Sequence, residues 1–151
     1  MPVRMTDAEV RAFLEAGHTG ILATVRSSGS PALMPMWYVI VDGSVFVRTL
    51  ARSAKVRHVR TDPRVSFLVE SGHAWAELKA VVLYGEAVIE TAPEVIARVD
   101  EAFAAKYRAF LMPITAGENT RLHYAQPRIH LRVVPSRAGL TWDNSKLLAQ
   151  P

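Results

Sequence analysis

The run Arg48-Thr49-Leu50-Ala51-Arg52-Ser53-Ala54-Lys55-Val56-Arg57 joins the end of an alternating hairpin pattern to the start of a short amphipathic helix. Thr49 ends the predicted strand and Ser53 opens the helix. Amide groups in the first turn of a helix have no internal acceptor, and they sit at the positive end of the dipole, so an anion there gains on both counts. Lys55 adds a point charge, while Arg48, Arg52 and Arg57 offer planar forks. Over the wider stretch, Arg48, Arg52, Lys55, Arg57, Arg60 and Arg64 are opposed only by Asp62. This chemistry suits retention of a phosphate, and a cofactor's phosphate is the expectation. The same residues also fit a solvated basic helix with an ordinary serine cap, and the run is not a glycine-rich phosphate loop.

Other side-chain machinery is sparse. The chain has no cysteine, which excludes disulfides and thiolate chemistry. His18, His58, His73, His123 and His130 show no metal-ligand spacing with acidic neighbours and read as surface, cap or core groups. No nucleophile elbow surrounds any serine. Redox or group-transfer chemistry would therefore come from a bound organic cofactor. A net charge of +4 in 151 residues is too mild to imply nucleic acid, and a nucleic-acid site would need exposed aromatics beside the basic run. On the strand paired with the one carrying Thr49 lies Pro35-Met36-Trp37-Tyr38, along which a flat ring can lie. Adjacent strand residues point to opposite faces, so Trp37 and Tyr38 cannot both line one pocket, and either can instead be core.

The elements that must position these groups are legible from pattern. Thr6-Asp7-Ala8-Glu9 reads as a capping box for a helix with Val10, Phe13 and Leu14 inward, ended by Gly17. Thr19 to Val25 and Ala32 to Val41 read as strands across a Ser27–Ser30 turn, and Asp42-Gly43 as a tight hairpin returning through Val45-Phe46-Val47. Ser53 is expected to cap a helix to about Val59, with Val56 and Val59 inward and Asp62-Pro63 as its end. Val65 to Val69 is a strand, with a turn at Ser71-Gly72. Trp75 to Ile89 reads as one long strand or two bent ones, with a bulge at Gly85. Thr91 is expected to cap a second major helix, Pro93 to lie in its first turn, Glu94 to reach back, and Ile96, Val99, Phe103 and Tyr107 to face inward. Met112 to Gln126 reads as loop or irregular helix, Ile129 to Val134 as a strand, and Leu140-Thr141-Trp142-Asp143 as the closing segment. Hairpins without a repeated βαβ unit predict a mainly β fold, a small closed or nearly closed barrel over a single domain, 1–151. No membrane-spanning run or targeting segment is expected, so the expected compartment is the cytoplasm.

Gly20-Ile21-Leu22-Ala23-Thr24-Val25, Gly29-Ser30-Pro31 and Pro35-Met36-Trp37-Tyr38 resemble the first hairpin of the flavin and deazaflavin split-barrel family, the pyridoxamine 5'-phosphate oxidase-like superfamily. Lys55-Val56-Arg57, Asp62-Pro63-Arg64-Val65-Ser66 and Trp142-Asp143 continue the likeness in order, over about Phe13 to Leu147. The branch most resembled is that of the F420-dependent reductases.

The resemblance implies a six- or seven-stranded split β-barrel with flanking helices, paired as a homodimer with cofactor sites between subunits. It implies phosphate contacts from Thr49, Ser53 and Lys55 with Arg57 nearby, a ring along Met36, Trp37 and Tyr38, and Trp75 and Lys79 on the opposite wall from the second subunit. The implied cofactor is coenzyme F420, with FMN as the alternative. The implied activity is hydride transfer to a small conjugated acceptor such as an enone, quinone or tetrapyrrole. The alternatives are an FMN oxidoreductase using NAD(P)H or oxygen, and a non-catalytic carrier or sensor. Relatives often carry Asn-Leu after the Lys-x-Arg element, where this chain has His58-Val59; His58 faces either solvent or the groove. The sequence lacks the longer carboxy-terminal segment expected of a true pyridoxamine 5'-phosphate oxidase, so vitamin B6 oxidation is not expected.

Overall fold

A computed structural model describes residues 3–111, 113 and 115–148. Seven strands form one antiparallel sheet: β1 Thr19–Val25, β2 Pro31–Val41, β3 Ser44–Leu50, β4 Arg64–Ser71, β5 Lys79–Ile89, β6 Arg128–Pro135 and β7 Leu140–Asp143. Their order is β4-β1-β2-β3-β6-β5-β7, and a further β4–β5 pairing closes the first six into a barrel. Among the described residues, four α-helices accompany the strands: α1 Asp7–Ala16, α2 Ala54–Thr61, α3 Pro93–Tyr107 and α4 Glu118–Tyr124. Among the described residues, no helix is long and apolar enough to cross a membrane.

Alternation along the strands sorts side chains into two layers. Tyr38, Val45, Val47, Phe67, Val69, Leu131 and Val133 fill the barrel with Leu22, and Leu14 packs against them from α1. Val39 and Phe46, opposite each other across the β2–β3 hairpin, face outward under Val99, Phe103 and Tyr107 of α3. The expected inward positions of α3 are therefore buried at Val99, Phe103 and Tyr107, while Ile96 is only half-buried. The hairpin turn has positive φ at both Asp42 (50°) and Gly43 (76°), which is the twist a two-residue turn requires.

The barrel splits at Tyr38. Strand β2 pairs with β1 from Pro31 to Trp37 and with β3 from Tyr38 to Val41. A strand that changes partner leaves backbone groups to satisfy, and α3 does this with one hydroxyl. Tyr107 Oη accepts from Tyr38 N–H at 2.9 Å, and its single proton is placed between Tyr38 O at 2.6 Å and His18 O at 2.8 Å. Its ring stacks on Trp37 at 4.4 Å, nearly parallel at 6°. Beyond Val47, β3 continues to Leu50 paired with β6 alone.

Several local expectations need correction. Trp75 is not in a strand: Trp75–Glu77 is a 3-10 turn, and β5 starts only at Lys79. The Glu77 carboxylate receives the His73 and Ala74 N–H groups there, which bends the chain before the strand. Gly85 is no bulge, because β4 pairs through it in continuous register and the β6 register starts from it without a break. It is glycine because a Cβ would collide with the Val134 carbonyl of β6. Thr91 does not cap α3. Ala92 holds that position, and the Glu90 carboxylate, one residue further back, accepts the Thr91 and Ala92 N–H groups, each at 3.1 Å. The Thr6–Glu9 capping box of α1 forms as expected. Gly17 ends α1 in an extended conformation rather than a left-handed one, and a side chain there would strike the Tyr38 hydroxyl. The stretch after α3 contains a 3-10 turn at Arg108–Phe110 and then α4. Met112, where the irregular segment was placed to begin, lies outside the described residues.

Tyr107→Phe keeps the stacked ring and removes the hydroxyl. Leaving the Tyr38 N–H and the His18 carbonyl without this partner, while Lys106 still serves the Tyr38 carbonyl, is expected to cost about 1–3 kcal/mol. Urea denaturation should show a lower midpoint at unchanged slope; an unchanged midpoint would mean that the split does not depend on this hydroxyl.

Candidate functional site

Strand β3, its run-on into α2, and the α4–β6 corner enclose a groove of about 480 Å³. Thr49, Ser53, Lys55 and Arg57 all line it, so the structure brings the four sequence-derived phosphate residues together. Ser53 behaves differently from expectation. It holds the N-cap position of α2, but its side chain makes no capping bond. Its hydroxyl instead receives that of Thr49 at 3.1 Å, because Thr49, 95 % removed from solvent, needs an acceptor. No side chain therefore caps the first turn of α2, and the Ser53 proton is not committed to Thr49.

The basic residues separate by partner. Arg48 lines the groove, but its guanidinium is engaged: Nη1 lies 2.8 Å from Asp100 Oδ1, and the group sits 4.3 Å over the Phe103 ring. The same carboxylate oxygen meets His130 Nε2 at 2.8 Å, across the Arg48–His130 strand pair. Burial works against ionisation of Asp100, but the hydrogen bonds from His130 and Arg48 outweigh it and hold the carboxyl below its ordinary range. Arg57 donates to the Arg52 carbonyl at 3.1 Å, and Arg64 pairs with Asp62 at 2.6 Å. Lys55 has no ion pair among the described residues, and burial pushes its ammonium below the usual lysine range. A desolvated cation without an anion is the group that gains most from a phosphate.

The other sequence-derived residues are placed elsewhere. The Tyr38 side chain is fully buried in the barrel with its hydroxyl on the Leu14 carbonyl, and its backbone groups are taken by Tyr107 and Lys106. It therefore offers a ligand neither ring nor amide. Met36 is half-buried against the barrel core, and Trp37 is stacked on Tyr107. Trp75 is 64 % exposed on its 3-10 turn, and Lys79 is paired with Asp143 at 3.0 Å. Neither belongs to the groove lining. His58 faces neither open solvent nor this groove: its Nδ1 lies 2.9 Å from the hydroxyl of buried Thr24 on β1.

Sequence reasoning missed His123, Tyr124 and Arg128, which form the far wall. Gln126 Oε1 accepts from Arg52 N–H at 3.3 Å, and the Pro127 carbonyl from Ala51 N–H at 3.0 Å. These bonds fasten the corner to the strand-to-helix junction. Arg128 arrives because it stands opposite Leu50 in the β3–β6 register. The local pattern carries no signal for that pairing, since the two strands are separated by about half the chain.

Together these features define a split barrel with a basic groove beside its seam. The chain belongs to the pyridoxamine 5'-phosphate oxidase family, whose model matches residues 6–140. That membership supports a redox role with a flavin-type cofactor site. Among solved structures, a conserved hypothetical protein of Mycobacterium tuberculosis is 34 % identical, covering 99 % of this chain and 92 % of its own, with a TM-score of 0.83. An FAD-binding protein of Mesorhizobium loti is 22 % identical over 92 % of this chain and 96 % of its own, with a TM-score of 0.69. The haem storage protein HutZ of Vibrio cholerae is 16 % identical over 92 % of this chain and 97 % of its own, with a TM-score of 0.71. The last two share the fold with this chain.

The Asp100 carboxyl is more acidic folded than unfolded, so its contribution to stability is complete above the unfolded value of about 3.9 and is lost as pH falls through the lower folded value. Thermal melts from pH 2 to 7 should show a gap between wild type and Asp100→Asn that is constant above about pH 4 and closes below it. A gap independent of pH would remove the carboxylate's charge from the explanation.

Proposed function

We propose that this protein is an F420-dependent oxidoreductase that passes a hydride from the reduced deazaflavin to a conjugated organic acceptor. The observation that carries this reading is the convergence of Thr49, Ser53, Lys55 and Arg57 in one groove, with Lys55 desolvated and without a carboxylate partner. Two hydroxyls, an ammonium, a guanidinium and an uncapped helix start suit a phosphate diester or monoester. The choice of F420 over FMN rests on the cations left over. Arg52 and Arg128 also line the groove, and both are suited to the carboxylates of an anionic tail, which FMN lacks. Arg60, part of the same basic stretch of sequence, is not among the lining residues.

When bound, reduced F420 supplies the hydride, and the acceptor is an enone, a quinone or a tetrapyrrole-like molecule that also takes up a proton. The chain's own groups bind and orient. Thr49, Ser53 and Lys55 hold the phosphate at the end of β3, and Arg57 flanks them. The Met36–Trp37 segment of β2, where Tyr107 fixes the Trp37 plane, would hold the ring. In a homodimer, the partner subunit's Trp75 and Lys79 cover the opposite face and exclude water. No groove side chain is required as a nucleophile. The setting is cytoplasmic.

Titration of the cofactor-free protein with F420 and with FMN should show tighter binding of F420; tighter FMN binding selects the flavin reading with NAD(P)H or oxygen as partner. Lys55→Ala should weaken the bound form by about 1–3 kcal/mol, and unchanged affinity in calorimetry would remove the phosphate contact. A phosphate raises the depressed Lys55 value, so binding should take up a proton at alkaline pH and weaken as pH rises. Calorimetry in buffers of different ionisation enthalpy reads this directly. Anaerobic mixing of the protein and reduced F420 with enones, quinones and tetrapyrroles should restore the absorbance of oxidised deazaflavin faster than protein-free controls. Failure with every acceptor, with binding intact, would make the protein a carrier.

A further inference from the structure

A second cavity, of about 410 Å³, lies between α1, β2 and α3 and shares no lining residue with the basic groove. Val39, Ile40, Ala102 and Ala105 make its wall apolar, and its two polar groups are Glu15 and Lys106. The protein has four lysines. Lys79 and Lys146 are paired with Asp143 and Glu9 at 3.0 and 2.7 Å, and Lys55 serves the basic groove. Lys106 alone stands outside that groove with no carboxylate partner among the described residues.

Its surroundings nevertheless favour a cation. Lys106 Nζ donates to the Tyr38 carbonyl at 3.1 Å and lies 4.1 Å from the Tyr38 ring centroid and 5.3 Å from that of Tyr107. A carbonyl and two aromatic faces hold an ammonium in place without neutralising it. An ammonium carries three donors, and one acceptor is present, so the group retains capacity toward the cavity. Burial leaves it short of solvation as well. Glu15 is exposed and makes no ion pair with Lys106.

We propose that this cavity binds a monocarboxylate with a short apolar body, its carboxylate pairing with the Lys106 ammonium. The apolar body covers Val39, Ile40, Ala102 and Ala105. Ala102 and Ala105 leave the room, because larger residues at those positions of α3 would occupy it. The Glu15 carboxylate, on α1, repels a second negative charge, so a dicarboxylate is rejected. The groups facing the bound carboxylate are then Lys106 and Glu15, with the Tyr38 and Tyr107 rings beneath the ammonium. The volume lies within the range of about 300–1,000 Å³ of small-molecule sites.

The test uses the intact protein without added redox cofactor, titrated calorimetrically with octanoate, 1-octanol and octanedioate. Octanoate is expected to bind about tenfold or more tightly than either of the others, the margin of a charge-assisted contact. Lys106→Met should remove the preference for octanoate over octanol, and Lys106→Arg should retain it. Ala102→Leu, which fills the cavity and leaves the charge, should weaken octanoate. This last variant and the wild-type series decide the matter even if Lys106→Met does not fold. Absence of octanoate binding, equal binding of octanol or octanedioate, or octanoate affinity unaffected by Lys106→Met overturns the proposal. None of these outcomes bears on the F420 reading, whose groove is untouched by the variants.

Discussion

The architecture depends on how β2 changes partners at Tyr38. A strand leaving one neighbour for another exposes an amide and carbonyls inside an apolar setting, where each unpaired group is costly. The Tyr107 hydroxyl meets three such groups at once. The same residue also brings α3 onto the outer face, since its ring stacks on Trp37 and lies beside Phe103 at 5.6 Å. Barrel, outer layer and helix thus share one side chain, and burial keeps that phenol protonated. Where β2 parts from β3, β3 runs on toward α2, and the basic groove forms at that free end.

Charge in the groove is set as much by what is neutralised as by what is present. Asp100 takes up Arg48 and receives His130 as well, which ties α3 to both β3 and β6. Arg57 spends a donor on a backbone carbonyl that the junction leaves free. What remains is a graded surface: a desolvated ammonium in the first turn of α2 and more solvated guanidiniums along the wall. Such an arrangement concentrates the unneutralised positive charge at one point and leaves it more diffuse further along.

Much of this was legible in the sequence, for reasons that differ by residue. The hairpin at Asp42-Gly43 and the capping box at Thr6 are local signals, and both formed because their partners lie within a few residues. The junction carrying Thr49, Ser53 and Lys55 was legible for the same reason. Trp75 misled because an apolar stretch looks like strand until the backbone bonds of Glu77 are known. Tyr38 misled because its type fits either a pocket or a core, and only the switch of β2 from β1 to β3, with Tyr38 opposite Val47, decides between them. Arg128 and His123 were invisible, since their position depends on β6 finding β3 across roughly eighty intervening residues. The partner of Arg48 was hidden likewise, for Asp100 is fifty-two positions away.

Strand β5 has one further consequence. One of its sides is occupied by β4 along Lys79–Glu86, and the other is divided between β7 over Lys79–Val82 and β6 over Gly85–Ile89. Ser136 N–H meets the Tyr84 carbonyl at 3.0 Å in the interval between them. A long, Val-rich strand is thereby left with little free edge, and edges of that kind are where foreign strands add. The protection falls to β7, four residues long, which is itself tethered by bonds from Asp143 N–H to the Val3 carbonyl and from Met5 N–H to the Thr141 hydroxyl. The segment before α1 and strand β7 therefore hold each other in place along one side of β5, a latch made of two pieces far apart in sequence.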